Sequence, residues 1–357
     1  MTELLVGTKK GLFVLRGEPG DEFEVAARSF AGEPVEYAIR DPRSGRYLAS
    51  VTSAFYGPKV WVTDDPAGEW QETEGLTLPE GQEQALKRIW TIAPSEAEGG
   101  QLFAGGDPAV LFESGDGGLT WSLNEAFWNQ PTRSEWSPGA VGLCLHSVAT
   151  WPGDPQRLAL GISAVGVWLS DDGGQSWRHG NDGLVPRYIP EEAREETLAL
   201  CVHNLHRARK QPERLFMQFH GGVYRSDDAG ETWTDIGTDG GLPSDFGFPL
   251  VLDPDDPDSA YVIPLVADLD RVTPEGRVRV YETRDAGANW TARGDGLPGE
   301  DAYLTILRQA FDRDGAGKGM GLYFGATSGD VFGSGDAGGT WFTAATRLPP
   351  VNSVRVA

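Results

Sequence analysis

Three observations in the sequence predict an all-β protein built from a repeated small sheet. An eight-residue motif with a central Asp and a final Trp recurs along the chain. Each copy follows short runs of β-forming residues with the pattern apolar-x-x-Gly. Gly and Pro, the strongest turn formers, supply 48 and 24 of the 357 residues, well above average usage. A repeat of this kind at a period near 50 residues is typical of a β-propeller, in which small sheets are arranged radially.

The motif is most complete in Ser114-Gly-Asp116-Gly-Gly118-Leu-Thr120-Trp121. Its final Trp recurs at spacings of 51, 56, 56, 57 and 51 residues, which suits one four-stranded sheet per repeat. The Asp can accept backbone N–H groups inside a tight turn, the Gly permits a positive φ, and the Trp can bury between sheets. We therefore interpret the motif as structural. Its six Asp residues are Asp65 in a weaker copy, Asp116, Asp172, Asp228, Asp285 and Asp336.

Each repeat also contains a strand ahead of the apolar-x-x-Gly run, often followed by Pro, which we predict to be innermost. The N-terminal run 4–14 has the strand pattern without the motif, and counting it gives seven units. Residues 351–357 resemble one more innermost strand with no sheet to follow it. We therefore predict a seven-bladed β-propeller of four-stranded blades, closed by pairing the C-terminal strand with the N-terminal blade. Residues 1–357 would form a single domain.

The composition limits the classes of partner. The formal net charge of −23 should repel phosphate backbones and anionic membranes, so neither nucleic acid nor a membrane is expected as a partner. The first residues lack the apolar stretch of a signal peptide, and no apolar run is long enough to span a bilayer. We expect a cytoplasmic, acidic protein. Cys144 and Cys201 are the only cysteines, so no disulfide framework is predicted.

With its repeated octets, the chain resembles the Asp-box, or BNR-repeat, propellers, which include sialidases, xyloglucanases and sortilin-type receptors. It is most similar to bacterial single-propeller proteins labelled glycosyl hydrolases. The resemblance implies that the octet turns join the third and fourth strands, on the face away from the ligand site. The Phe/Tyr-Arg-Ile-Pro motif of sialidases is not met, since Arg88-Ile89 is followed by Trp90. Xyloglucanases use two propellers, whereas seven units make one.

Aligning the innermost strands on their trailing Pro places Glu36, Arg88, His146 and Phe248 at one level near the mouth of the channel. Matching the neighbouring pattern adds His203 and Asn352, with Leu307 or Arg308 in the remaining blade. A ring this polar predicts a site at the channel mouth, and a water-filled channel is the alternative.

A Cys-x-His pattern occurs in two adjacent blades, as Cys144-Leu-His146 and Cys201-Val-His203. A two-residue step returns to the same strand face, so each Cys should lie beside its own His. His220 should reach the same face beside His203. Imidazole and thiolate are ligands for Zn, Fe or Cu, so His146, His203 and His220 are candidate ligands of a divalent transition metal. A metal-free histidine cluster and simple packing remain alternatives.

Two long loops lead into the fourth and fifth blades. Exposed aromatic rings there could stack on a sugar, and Arg could hold a carboxylate. The alternative is that Trp128 and Trp136 only anchor their loop. Residues 191–196 suggest a solvated helical turn. The candidate ligand contacts are Trp90, Trp128, Arg133, Trp136, Tyr188, Phe246, Arg308 and Asn352.

Three functions follow from these candidates. The first is an enzyme acting on a small molecule or carbohydrate, of hydrolase or lyase type, with His146, His203 and Glu36 as acid and base and Arg88 holding an anion. The second is a metal-dependent enzyme that uses the histidine cluster. The third is a non-catalytic propeller that binds or assembles proteins.

Overall fold

The computed structural model describes residues 1–82, 84–97, 100–194, 198–237 and 239–357. Within them, seven antiparallel sheets of four strands confirm the predicted seven-bladed propeller. The strands of the first three blades are β1 (Thr2–Thr8), β2 (Gly11–Gly17), β3 (Glu24–Ser29), β4 (Val35–Arg40), β5 (Tyr47–Ser53), β6 (Gly57–Thr63), β7 (Gln71–Glu72), β8 (Arg88–Pro94), β9 (Leu102–Asp107), β10 (Val110–Ser114) and β11 (Ser122–Leu123).

The fourth to seventh blades repeat this order. Their strands, with the C-terminal strand last, are β12 (Cys144–Trp151), β13 (Asp154–Ser163), β14 (Gly166–Ser170), β15 (Arg178–His179), β16 (Val202–Arg207), β17 (Leu215–Phe219), β18 (Gly222–Ser226), β19 (Thr234–Asp235), β20 (Phe246–Leu252), β21 (Ala260–Leu265), β22 (Val280–Thr283), β23 (Thr291–Arg293), β24 (Phe311–Asp314), β25 (Gly321–Gly325), β26 (Val331–Ser334), β27 (Phe342–Ala345) and β28 (Val351–Val356).

Helical structure is confined to short pieces of the connecting loops. They are α1 (Glu125–Trp128) and the 3₁₀ turns Arg133–Glu135, Glu191–Ala193, Pro274–Gly276 and Gly317–Gly319. In the described part of the chain, none of the helical segments has the length and hydropathy needed to cross a bilayer.

The C-terminal strand closes the ring. β28 pairs antiparallel with β1, from Leu4 opposite Val356 to Thr8 opposite Val351, so the first blade has the order β28-β1-β2-β3. The first strands of adjacent blades contact one another around the ring, from β4 and β8 through to β24, β28 and back to β4. Because both chain ends are paired, neither leaves an open inner edge.

The octet turns join the third and fourth strands of their blades. In the first complete copy, Asp116 Oδ1 accepts hydrogen bonds from Ser114 Oγ, at 2.8 Å, and from the Thr120 N–H, at 3.0 Å. Thr120 Oγ1 donates to Asp116 Oδ2 at 2.6 Å. Gly118 adopts a φ of 86°, which a side chain would disfavour. The carboxylate therefore holds the turn closed.

The final Trp of an octet links its blade to the preceding one. The Trp233 N–H donates to the carbonyl of Asp182 at 2.8 Å, and its indole Nε1 donates to Gly180 at the same distance. A Cβ on Gly183 would lie 2.3 Å from the Trp233 carbonyl oxygen, so only Gly permits this approach. Between blades, apolar side chains form separate clusters; Leu48 of the second blade and Phe112 of the third share one of them.

Candidate functional site

One residue near the start of most inner strands lies in a β-bulge, where it has no opposite partner on the second strand. Bulges of this kind re-aim side chains and are common beside functional sites. The loops that lead into the inner strands and the turns between second and third strands lie on one face of the propeller. We call it the upper face. The residues skipped by the pairing are Asn352, Glu36, Trp90, His146 and His203, and in the sixth blade Phe248 together with Pro249.

The alignment on the trailing Pro was wrong for the third blade. Trp90, not Arg88, occupies the position equivalent to Glu36 and His146. The reason is that Pro94 is itself the last residue of β8, whereas Pro42 follows the end of β4, so Pro marks no fixed register. Arg88 lies two residues earlier, at the start of β8.

Arg308 is the cation at the centre of the upper mouth. Its side chain is buried, with the guanidinium carbon 4.9 Å from the ring centre of Phe248 and 5.4 Å from that of Trp90. Nε donates to the carbonyl of His203 at 3.3 Å. Among the described residues no ion pair joins Arg308 to a carboxylate. Burial lowers the pKa of Arg308, and the nearby Arg271 and Arg88 lower it further, while Cys144 and Cys201 raise it.

Glu36 is a carboxylate that pairs with Arg88 at the upper mouth. Its Oε1 lies 3.3 Å from Arg88 Nε, and its side chain is only 10% exposed. Burial raises the pKa of Glu36, and the charge of Arg88 opposes that rise. The Arg88 guanidinium in turn lies 4.5 Å from the ring centre of Trp90, the ring that Arg308 also approaches. Glu36, Arg88, Trp90 and Arg308 are therefore linked by a series of contacts, and we call these four residues the upper-mouth site.

The two Cys-x-His patterns behave differently. In the fourth blade, His146 Nε2 lies 2.8 Å from the carbonyl oxygen of Val202 and donates to it, and Nδ1 lies 3.1 Å from Ser147 Oγ. Burial, reinforced by Arg308, holds the pKa of His146 well below its ordinary value. Both nitrogens are thus engaged within the protein. This arrangement favours a structural histidine over the predicted catalytic and metal-binding roles.

In the fifth blade, His203 Nδ1 donates to the carbonyl of Gly247 at 2.6 Å, which leaves Nε2 as an acceptor. Potential ligand atoms of Cys201, His203 and His220 all lie within 4.8 Å of one another. Cys201, rather than the predicted His146, accompanies His203 and His220 in this group. Burial, with Arg308, holds the pKa of His203 well below its ordinary value and also lowers that of His220.

The residues opposite the two motifs explain this difference. Ser163 pairs with Cys144 across β12 and β13, and its hydroxyl lies 3.2 Å from His146 Nε2. The position that faces Cys201 in the fifth blade is His220, whose N–H donates to the Cys201 carbonyl at 3.0 Å. Because this position is Ser163 in the fourth blade, His146 is enclosed. Because it is His220 in the fifth blade, His203 faces a second potential ligand.

Trp128 and Trp136 are buried rather than exposed, so the structure favours the alternative that they anchor their loop. The Arg133 guanidinium lies 3.7 Å from the Trp128 ring centre and 5.1 Å from that of Trp136. Burial lowers the pKa of Arg133 to about 10. Trp136 also packs against Phe127, with ring centres 5.6 Å apart. These three predicted ligand contacts therefore form a packed loop.

The other predicted contacts border the upper mouth. Tyr188 Oη accepts the Cys201 N–H at 2.8 Å, and its ring centre lies 4.4 Å from that of His220. Phe246 is buried against His203 and His220, with ring centres 5.3 Å from each. Asn352 donates to the Val35 carbonyl at 3.0 Å. Glu191 begins a 3₁₀ turn, while Glu195 and Glu196 lie outside the described residues.

Two cavities lie farther along the channel. One of about 210 Å³ is lined by residues that include His146, Asn204 and Gln309, and another of about 560 Å³ opens at the lower end beside Pro42 and Pro94. The lower cavity is the larger. Of its arginines, Arg209 lies 3.5 Å from Glu96 and Arg355 lies 3.5 Å from Asp312, whereas Arg207 and Arg313 form no ion pair among the described residues. Those two side chains are only partly buried, whereas Arg308 is buried, so its lack of a carboxylate partner costs more free energy and makes the upper mouth the stronger candidate.

The predicted metal set lacked Cys201, and the contact of Phe248 with Arg308 was not predicted from the sequence. The Arg271 guanidinium also lies over Phe248, 5.3 Å from its ring centre. Cys201 could have been found from the residue across the strand pair, since His220 directly follows β17. The contacts of Arg271 arise from a long loop, and no sequence period predicts them.

No family model matches the sequence, and none of the curated proteins matches it either. Solved structures do match. An ancestral GH74 enzyme has a TM-score of 0.56 at 15% identity, covering 100% of this chain and 40% of that one, so the chain spans less than half of that enzyme's length. YCF48 from Cyanidioschyzon merolae gives 0.52 at 14% identity, covering 87% and 83%.

A candidate 6-phosphogluconolactonase from Bacteroides fragilis gives a TM-score of 0.58 at 11% identity, covering 100% of this chain and 98% of that one. At these identities the similarity concerns the propeller fold alone.

Proposed function

We propose that this protein is an enzyme of hydrolase or lyase type that acts on a small anionic molecule, of the sugar-acid class, at the upper-mouth site. The observation that supports this most is Arg308, a buried guanidinium with no carboxylate partner among the described residues. A buried charge costs free energy unless it is compensated, and a carboxylate on a ligand is the natural partner for a guanidinium.

The neighbours of Arg308 fit the same ligand class. Arg88 and Arg271 add positive charge to the mouth, although the whole chain has a net charge of −23. Trp90 presents a partly exposed aromatic surface, which suits the apolar face of a sugar ring. A polyhydroxylated carboxylate would use both features.

Glu36 is the group that we assign to proton transfer. Its pKa is raised by burial, which brings a carboxyl closer to the pH at which it can both give and take a proton. Arg88, 3.3 Å away, fixes its position and would also contact the ligand anion. The glycosidase form of this proposal is weaker, because a two-carboxylate hydrolysis needs a second acid at a defined separation.

The test is binding of glucuronate and galacturonate to chelator-treated protein, measured by calorimetry and by the shift of thermal midpoint, with neutral glucose for comparison. We expect a uronate to bind and glucose to bind less well. Arg308→Gln should weaken the anion at least about tenfold, because a charge-assisted hydrogen bond contributes about 1.5–3 kcal/mol. Arg178→Gln, on the outer strand β15, is the control. Equal binding to Arg308→Gln and to the wild type would refute the proposal.

A protein-interaction role is the second candidate. It is favoured by exposed apolar side chains on loops of the upper face, namely Phe55, Tyr56, Leu269 and Tyr303. If this role is the correct one, no anion of the panel will change the thermal midpoint.

A further inference from the structure

We propose that Cys201, His203 and His220 form a three-ligand site for Zn²⁺ or a similar first-row transition metal at the upper mouth. The site would hold the metal through one thiolate and two imidazoles and keep a fourth position for an exogenous ligand. This inference does not depend on the anion-binding function, although both sites lie beside Arg308.

The backbone brings the three side chains together. Cys201 immediately precedes β16, His203 is the bulged residue two positions later, and His220 lies directly across from Cys201, where its N–H donates to the Cys201 carbonyl at 3.0 Å. The ring centres of His203 and His220 are 5.1 Å apart. With all three potential ligand atoms within 4.8 Å of one another, small side-chain adjustments suffice for tetrahedral ligation.

The hydrogen bonding of His203 is that of a metal ligand. Its Nδ1–H donates to the carbonyl of Gly247 at 2.6 Å, so the proton is fixed on Nδ1 and Nε2 carries the lone pair. Metal-binding histidines almost always donate the second ring N–H to a carbonyl or carboxylate in this way. The Nε2 atom of His220 lies 3.7 Å from Asp268 Oδ2, which is longer than a hydrogen bond.

The fourth blade provides an internal comparison. It has the same Cys-x-His pattern, but Ser163 replaces the second imidazole and its hydroxyl lies 3.2 Å from His146 Nε2. The other nitrogen, Nδ1, faces Ser147 Oγ at 3.1 Å. The blade repeat therefore does not by itself produce a ligand cluster. The fifth blade differs at the positions that a metal site needs.

The charges around the cluster are compatible with a cation once the thiol ionises. Burial lowers the pKa values of both histidines. Burial raises the pKa of Cys201, and the Ser163 hydroxyl, Arg308 and Arg271 act in the opposite direction. Coordination itself deprotonates a thiol, and the resulting thiolate would screen the metal from Arg308.

The experiment is titration of the chelator-treated full chain with Co²⁺, followed by displacement with Zn²⁺. A cobalt–thiolate site has a charge-transfer absorption in the near ultraviolet that a site without sulfur lacks. We expect this band at about one metal per chain, with loss of the band in Cys201→Ser and Zn²⁺ binding weakened at least about tenfold in His220→Gln. Cys144→Ser, the matched cysteine of the fourth blade, should retain the band.

Circular dichroism and the thermal midpoint establish that each variant is folded. The proposal is overturned if the wild type binds no metal, if the band survives in folded Cys201→Ser, or if Cys144→Ser removes it. Arg308→Gln separates the two proposals, because it should lose anion binding and keep the cobalt band. Failure of the uronate experiment would leave the metal result unaffected, and the reverse also holds.

Discussion

The guanidinium of Arg308 lies 4.9 Å from the ring centre of Phe248, in a buried position that no described carboxylate neutralises. The face of an aromatic ring attracts a cation, but it does not replace a counter-ion. Arg308 is therefore a buried charge that a bound anion would neutralise, within a strongly acidic protein. Arg355, in the channel of the same molecule, is a useful contrast, because its guanidinium donates to the Gln309 side chain and to the Phe311 carbonyl.

This contrast yields a prediction about stability without ligand. Arg308→Met should leave the free energy of unfolding unchanged or raise it, because the substitution removes an uncompensated buried charge. Arg355→Met should lower it by about 3 kcal/mol, because it leaves buried acceptors without their donor. Both residues are 8% exposed, so burial is matched. Denaturant unfolding measures both values. A marked loss of stability in Arg308→Met would mean that Arg308 has a structural role.

Glu36 predicts a second effect, on the pH dependence of stability. Burial raises its pKa in the folded state, so its stabilising contribution is complete below the unfolded pKa near 4 and is lost as pH rises through the folded value. Glu36→Gln should therefore gain stability relative to the wild type between about pH 4 and pH 7. Thermal midpoints at both pH values measure the difference. Exposed Glu80→Gln is the control, and a constant difference for Glu36→Gln would contradict the prediction.

The octet turns predict the opposite pH dependence. Burial acts to raise the pKa of Asp116, but hydrogen bonds from Thr120 and Ser114 outweigh it and lower the pKa to about 2. The stabilisation is complete above the unfolded pKa near 4 and is lost as pH falls toward 2. Asp116→Asn should be less stable than the wild type at neutral pH, and the difference should shrink on acidification. Thermal midpoints across this range, with Asp301→Asn as an exposed control, provide the measurement.

Ring closure predicts a strong effect of truncation. Deleting residues 351–357 removes β28, which buries Val351, Ser353 and Val354 and pairs along β1. The deletion exposes the inner edge of the first blade, so the thermal midpoint should fall sharply or the protein should aggregate. A synthetic peptide of residues 350–357 added during refolding should restore part of the loss. An unchanged midpoint in the truncated chain would rule out closure by this strand.

The fold was predictable because its information is local and repeated. Asp116 and Trp121 belong to one turn, and the same turn occurs at spacings that only a ring of small sheets accommodates. Closure followed from counting, since residues 351–357 had a strand pattern and the first blade lacked its inner strand. The site was predicted only to the level of a polar channel mouth. The register of β8 was misassigned because Pro94 is the last residue of that strand, whereas Pro42 follows the end of β4.

The sequence by itself therefore determined the blade number, the closure of the ring, the octet turns and the list of polar residues at one end of the channel. Only the tertiary structure decided which of those residues meet. Bulges re-aim side chains by one position, and contacts between blades depend on residues far apart in the chain. His146 is enclosed by Ser147, Ser163 and the Val202 carbonyl, whereas His203 faces Cys201 and His220. The same Cys-x-His pattern therefore lies in two different environments, because the second strand of each blade places a different side chain opposite the Cys.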